Sequence, residues 1–226
     1  MAMTDHLVGT AGFTVEGSSQ TNPVLVVSLA LFREESRKEV LLGVRRNTPS
    51  APRHPGVLST PTMRVPSKVF AALVDETVCQ WRTGVHLVEQ GPPFALGRCD
   101  FSQHPGAFIL EGLLARKLGL GGALVDQRFH AEARLSAVAL DLVEDPLGTE
   151  LAEWTAMVTY SATIRSGSEA VPLTTESFSR LIWARGDLVA RAMAAGDALI
   201  VDETLDPFEV CIGGLCIRSA IPLLEQ

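Results

Sequence analysis

The sequence predicts an α/β protein whose mixed, largely antiparallel β-sheet carries helices on both faces, an α/β/α sandwich. Three observations predict it. Two apolar runs stand close together near the start, two long segments alternate apolar and polar residues further on, and three stretches between and after them space their apolar residues as helices do. The chain has 226 residues, 46% of them hydrophobic, enough to bury one sizeable core without disulfide or metal staples. A single domain over residues 1–226 is therefore expected, with 1–21 as a flexible leader and 165–226 as a C-terminal elaboration of helix and strand.

Taken in order, the polar, glycine-bearing stretch 1–21 offers at most a short strand. Residues 23–32 (PVLVVSLALF) and 39–45 (EVLLGVR) are rich in Val and Leu and flank a charged turn, which predicts a β-hairpin. Residues 47–66 carry Pro49, Pro52, Pro55, Pro61 and Pro66, so an ordered but irregular segment over the sheet is expected there. Ser67 suits an N-cap, and Val69, Leu73, Val74, Val78 and Trp81 follow at helical spacing up to Gly84. A second helix is expected over 105–118, where Ile109, Leu110, Leu113, Leu114 and Leu118 make one apolar face and Gly119 a stop.

Strand signatures return over 129–143. Ala131, Ala133, Leu135 and Ala137 alternate there with His130, Glu132, Arg134 and Ser136. Trp154, Ala156, Val158, Tyr160, Ala162 and Ile164 repeat the same period, so the two segments should pair antiparallel across the turn at 144–148. Over 175–195, Phe178, Leu181, Ile182, Leu188, Val189, Ala192 and Met193 form a stripe that predicts one helix. The tail adds apolar runs at 198–201 and 210–224; its phrase CIGGLCIR (211–218) reads as a tight turn between two short strands, close enough to the chain end to serve a subunit interface.

Charge and composition exclude several function classes. A net charge of −7 gives no basic footprint for nucleic acid or an anionic membrane. No basic segment leads into an apolar run at the start, and no stretch approaches the roughly 18 apolar residues of a membrane span. A cytoplasmic protein is expected. Cys79, Cys99, Cys211 and Cys216 are scattered without a CxxC pair or a histidine at ligand spacing, so buried free thiols are expected rather than a zinc site. No GxSxG elbow supplies a serine nucleophile, and the five histidines stand in no nucleophile context. His54 and His104, each followed by Pro-Gly, are explained by turn chemistry. The paired glycines of CIGGLCIR lack the spacing of a phosphate loop or a dinucleotide fingerprint.

One stretch has a family likeness. A strand, a charged turn and a strand ending in two arginines, followed by a proline-rich segment (VLLGVRRNTPSAPRHPGVLSTPTMRVP, 40–66), resembles the start of Nudix proteins. The likeness covers about residues 23–164 and rests on element order and a closing helix. Where that family has a Pro-Gly-Gly turn, this chain has Pro61, Thr62 and Met63. The family's signature, GX5EX7REUXEEXGU, sets glutamates on one face to hold divalent cations against a diphosphate. With its closing Gly and apolar residue placed on Gly119 and Leu120, its consecutive glutamates fall on Arg116 and Lys117. Its Arg-Glu pair falls on Gly112 and Leu113 and its earlier glutamate on His104, while Gly97 lies one residue from the opening glycine. The box is degenerate and its charge inverted.

The resemblance implies a Nudix-like protein without the usual metal-binding glutamates. It is expected to bind a nucleotide-type or phosphorylated ligand, or a protein partner, without hydrolysis and without a metal or other cofactor. The candidate ligand contacts are Arg45, Arg46, Arg64, Glu111, Arg116 and Lys117; no catalytic residue is assigned. The arginines flank the proline-rich segment, where loops at strand ends commonly hold ligands, and cations at 116–117 can attract phosphate. The plainer reading makes each of them a solvated surface residue, with Arg116 and Lys117 favoured by the negative end of the helix dipole. One alternative is a Mg²⁺-dependent hydrolase of nucleoside diphosphate derivatives, with Glu111, Asp75 and Glu76 as relocated carboxylates. Another is a regulatory or structural interaction module. On any of these readings a homodimer is among the expected partners.

Overall fold

The structure, a computed structural model, describes residues 23–33, 38–46, 57–73, 83–88, 94–95, 105–120, 132–143, 153–164, 174–195, 199–200, 208–209, 211–212 and 214–224. The first two strands, β1 (Val24–Arg33) and β2 (Glu39–Arg45), are antiparallel and meet at Phe32 and Val40, as the apolar runs predict. Arg33 closes this end of the pair: its guanidinium bonds Glu39 at 2.7 Å and lies 4.7 Å from the Trp183 ring centroid. Away from this end the two strands part. β3 (Val57–Ser59) pairs with β2 at Gly43 and Val44, and β4 (Thr62–Arg64) pairs with β1 over Val26, Val27 and Ser28. Because β8 (Glu153–Ile164) runs parallel along all of β1, and β9 (Phe178–Arg185) lines β2, the two short strands fill the wedge between β1 and β2.

This corrects the expectation of an irregular segment before Pro66. The prolines of its described part lie outside the strands: Pro61 sits between β3 and β4, and its carbonyl accepts the Leu29 N–H at 3.0 Å. A residue without an N–H costs nothing where the chain turns. Residues 47–56 lie outside the described residues.

α1 (Ser67–Leu73) follows, with the Pro66 carbonyl accepting the Val69 and Phe70 N–H groups, so the helix is capped one residue earlier than expected. Residues 74–82 of the expected continuation lie outside the described residues. β5 (Gly84–Leu87) and β6 (Phe94–Ala95) both pair antiparallel with β7 (Glu132–Val143). Between β6 and β7 in the chain comes α2 (Pro105–Gly112), which runs into a π-helical turn at Leu113–Lys117. β7 pairs antiparallel with β8, as the alternation predicts, through a bulge between Leu135 and Ala137. The bulge flips the alternation, so Ala137 packs on the face opposite Ala133 and not beside it. The main sheet runs β12-β3-β2-β1-β8-β7-β5, with β4, β6 and β9 joined to β1, β7 and β2.

The single helix expected over 175–195 is overturned: β9 occupies its first half, and α3 (Gly186–Ala195) only its second. The tail holds a two-stranded sheet, β10 (Leu199–Ile200) with β11 (Phe208–Glu209), and β12 (Cys211–Ile212), which pairs parallel with β3. A helix, α4 (Gly214–Ala220), stands where a second strand was expected in CIGGLCIR, and a 3-10 turn follows at Ile221–Leu224. Its Leu215, Ile217 and Ala220 are buried in the chain's own cores.

The expected architecture holds: the sheet is mixed and layered between helices. On one face Phe70, Leu110, Leu113, Leu114 and Leu118 pack with Val27, Leu29, Val158 and Tyr160, and all nine are buried. The other face packs Val189, Ile217 and Ala220 with Ala30, Phe32, Leu42 and Ile182. At roughly 25 cal/mol per Å² of apolar surface removed from water, these layers are the main source of stability. No helix among the described residues is long and apolar enough to cross a membrane.

Candidate functional site

The site grows from the end of β2 that lies away from Phe32. Residues alternate along β2, so Leu41, Gly43 and Arg45 share the face that carries α2, and Gly43 leaves that face open. The Phe178 ring occupies the opening: a Cβ built on Gly43 would lie 2.5 Å from its Cγ. β9 bulges here, Phe178 standing opposite Arg45 while Arg180 stands opposite Val44. The extra residue, Ser179, is exposed and bonds the Val44 carbonyl at 3.3 Å.

Seated this way, Phe178 holds the segment before it. Its N–H donates to Thr175 Oγ1 at 3.1 Å, and the Thr175 N–H donates to its carbonyl at 2.9 Å. Arg46 adds two bonds, from its N–H to the Ser177 carbonyl at 3.0 Å and from Nη2 to the Phe178 carbonyl at 3.4 Å. The Thr175 hydroxyl then donates to the Lys117 carbonyl at 2.8 Å. A helix end leaves its last carbonyls without partners, and Thr175 supplies one. The end itself is wide: Leu118 N–H bonds Leu113 O at 3.2 Å and Leu120 N–H bonds Leu114 O at 2.9 Å, with Gly119 at φ 69° making the turn.

Lys117 is half-buried at this junction. Burial is the largest cause that holds its ammonium below the ordinary lysine range; the Arg45 guanidinium pushes in the same direction and the Glu176 carboxylate against it. Lys117 thus has one cation and one carboxylate within electrostatic reach, where the π-turn meets residues 174–178 and the end of β2. The sum of the three charges is positive in a chain whose net charge is −7.

The other predicted contacts are placed differently. Arg46 is exposed and bound to the 177–178 backbone. Arg116 is exposed beside Lys117 in the last turn, where the helix dipole favours it. Arg64 lies on β4, 3.6 Å from Glu153 of β8 in an ion pair with both side chains well exposed, a geometry worth little. Glu111 is half-buried on α2. Asp75 and Glu76, its suggested partners, and His104 lie outside the described residues. Among the described residues, no three His, Cys, Asp or Glu side chains converge in a way that could hold a metal ion. Burial pushes the Cys216 thiol up, which makes it a poor nucleophile near neutrality.

Sequence reasoning missed Thr175, Glu176 and the Gly43–Phe178 fit. A signal for the first exists: Thr174, Thr175 and Ser177 form a run of hydroxyls that suits a side-chain-bonded turn better than a helix interior.

Comparison with known proteins adds little at the level of sequence: no family model and no curated protein matches the chain. Solved structures do align. The NUDIX domain of Shewanella oneidensis NrtR, crystallised with ADP ribose, has 18% identity and a TM-score of 0.38 over 78% of this chain and 81% of its own. A NUDIX hydrolase from Alicyclobacillus acidocaldarius has 13% identity and a TM-score of 0.42 over 92% of this chain and 94% of its own. A MutT/nudix family protein from Enterococcus faecalis has 13% identity and a TM-score of 0.34 over 92% of this chain and 62% of its own. All three bear the name of the family that the sequence resembles, but likeness at this level assigns neither membership nor ligand.

Proposed function

We propose that this chain is a cytoplasmic ligand-binding protein that takes a nucleotide-type or phosphorylated small molecule at the Arg45–Lys117 corner and does not hydrolyse it. The observation that carries the reading is a half-buried Lys117 whose carbonyl anchors the 174–178 turn and whose ammonium feels the field of Arg45, far from it in sequence. A phosphate meeting them gains charge-assisted hydrogen bonds at both ends of the pair. Arg45 supplies a planar fork and Lys117 a compact point charge, a combination that fits clustered phosphate oxygens. Arg46 and Arg116, both exposed nearby in sequence, extend the positive field; Glu111 and Arg64 are peripheral contacts. A divalent cation does not fit this pair, since it would be repelled by both side chains.

The test uses purified full-length chain with inorganic pyrophosphate, ADP-ribose and a panel of nucleoside diphosphate conjugates, with and without Mg²⁺. Thermal stabilisation without release of phosphate or nucleoside monophosphate is expected. Arg45→Ala and Lys117→Ala should each weaken binding about tenfold, the usual weight of one charged hydrogen bond. Turnover with Mg²⁺ would favour a hydrolase with relocated carboxylates instead. Neither response, with a stable homodimer or a co-purifying protein, would favour an interaction module.

A further inference from the structure

We propose that Glu176 is a built-in rival of the ligand's anionic group: a carboxylate on the turn tied to Lys117 that weakens the corner's hold on anions, most of all on those that carry the most charge. The inference rests on the ligand reading of the same corner and adds the residue that tunes it. Glu176 is exposed, yet its position is not free, because both sides of it are tied down. Thr175 before it donates to the Lys117 carbonyl at 2.8 Å and accepts the Phe178 N–H at 3.1 Å, while the Ser177 carbonyl after it takes the Arg46 N–H at 3.0 Å. The fixed turn keeps the carboxylate within one side chain's length of it, and from there its charge acts on the Lys117 ammonium. The carboxylate therefore neutralises part of the field that Arg45 and Lys117 create. It repels every anion that approaches them, and a diphosphate more than a monophosphate, because the repulsion scales with ligand charge.

Calorimetric titration of the full chain with inorganic phosphate and with pyrophosphate tests this. Glu176→Gln keeps the shape of the side chain and removes its charge, and should tighten both anions about threefold to tenfold, the weight of one screened unit charge several ångströms away. Pyrophosphate, which carries more charge, should gain at least as large a factor, widening its preference over phosphate. Glu132→Gln is the control: it makes the same change in net charge from an exposed position on β7, near the sheet end where Phe32 meets Val40, and should leave both affinities unchanged. A second measurement needs no ligand. The pH at which Lys117 titrates, followed by NMR, should fall in Glu176→Gln and stay put in Glu132→Gln. Wild-type-like affinities and an unmoved Lys117 in Glu176→Gln would overturn the inference while leaving the ligand reading in place. Failure of wild type and variant alike to bind pyrophosphate at millimolar concentration would overturn both.

Discussion

Replacing Gly43 by alanine should be among the costliest single-atom changes in the protein. Gly43 stands mid-strand between Leu181 of β9 and Ser59 of β3. Its added methyl would meet Phe178 Cγ at 2.5 Å and Cε1 at 2.8 Å, with Cδ1 nearer still. Carbon atoms rest about 3.5–4.0 Å apart, so the ring would have to retreat by roughly 1 Å. It has nowhere soft to go. Phe178 is 3% exposed and packs in the core with Leu41 and Leu181, and its own N–H and carbonyl hold Thr175. Overpacking of this kind costs about 1–3 kcal/mol. Weakening the two bonds to Thr175 adds about 1 kcal/mol. Urea denaturation at neutral pH should therefore show Gly43→Ala about 2–4 kcal/mol less stable than wild type. Phe178→Leu removes the clash, so the double variant should recover at least about 1 kcal/mol relative to the sum of the singles. A Gly43→Ala protein within about 0.5 kcal/mol of wild type, or strict additivity in the cycle, would refute the fit of ring on glycine.

Three further outcomes follow from individual contacts. Phe70, fully buried in the middle of α1, should cost about 3–5 kcal/mol as Phe70→Ala, read from the same denaturation curve; a loss below about 1 kcal/mol would place it outside the core. Ser28 and Thr60 share a buried hydroxyl bond of 2.7 Å, so Thr60→Val should cost about 1–3 kcal/mol by orphaning Ser28. Adding Ser28→Ala should restore part of that stability, and a further loss on adding it would contradict the account. Lys117 has a pKa below its unfolded value near 10.5, so the folded state binds its proton less well. Stability then rises with pH through the window between the lowered folded value and the unfolded one, and the penalty is fully present below it. Lys117→Met should be more stable than wild type at neutral pH by a margin that narrows as pH climbs toward 10.5; a margin constant with pH would show that its charge is not the cause.

How far the fold was legible in the sequence depended on bulges. β8 could be read because its period of two is unbroken, with Trp154 through Ile164 keeping every second residue on one face. β9 was mistaken for a helix because its extra residue at Ser179 puts Phe178 and Leu181, three apart, on the same side. Ile182 and Ala184 then face the other core, so a bulged strand buried on both faces imitates the i, i+3, i+4 spacing of a helix. The same device at Leu135–Ala137 reversed the face assigned to Ala137. The parallel pairing of β1 with β8 left no local trace, since both strands are buried on both faces and either neighbour would satisfy them. Arg45 and Lys117 were each legible as cations at element ends. That one lies in the field of the other was not, because no local pattern relates the end of β2 to the end of the π-turn.

The dependence runs in one direction. Gly43 gives the ring a place on β2, the ring fixes the bulge, and the bulge turns residues 174–177 toward the end of the π-turn. Only then can Thr175 reach the Lys117 carbonyl. A residue without a side chain, in a strand whose interior is otherwise Val and Leu, therefore governs where the 174–178 turn meets the end of the π-turn. Stability and anion affinity should accordingly fall together in Gly43→Ala but separate in Thr175→Val, which keeps the core and removes the hydroxyl that ties the turn to Lys117. If Thr175→Val lost stability as Gly43→Ala does and kept its affinity for pyrophosphate, the turn would be part of the core's packing and would have no hold on the site.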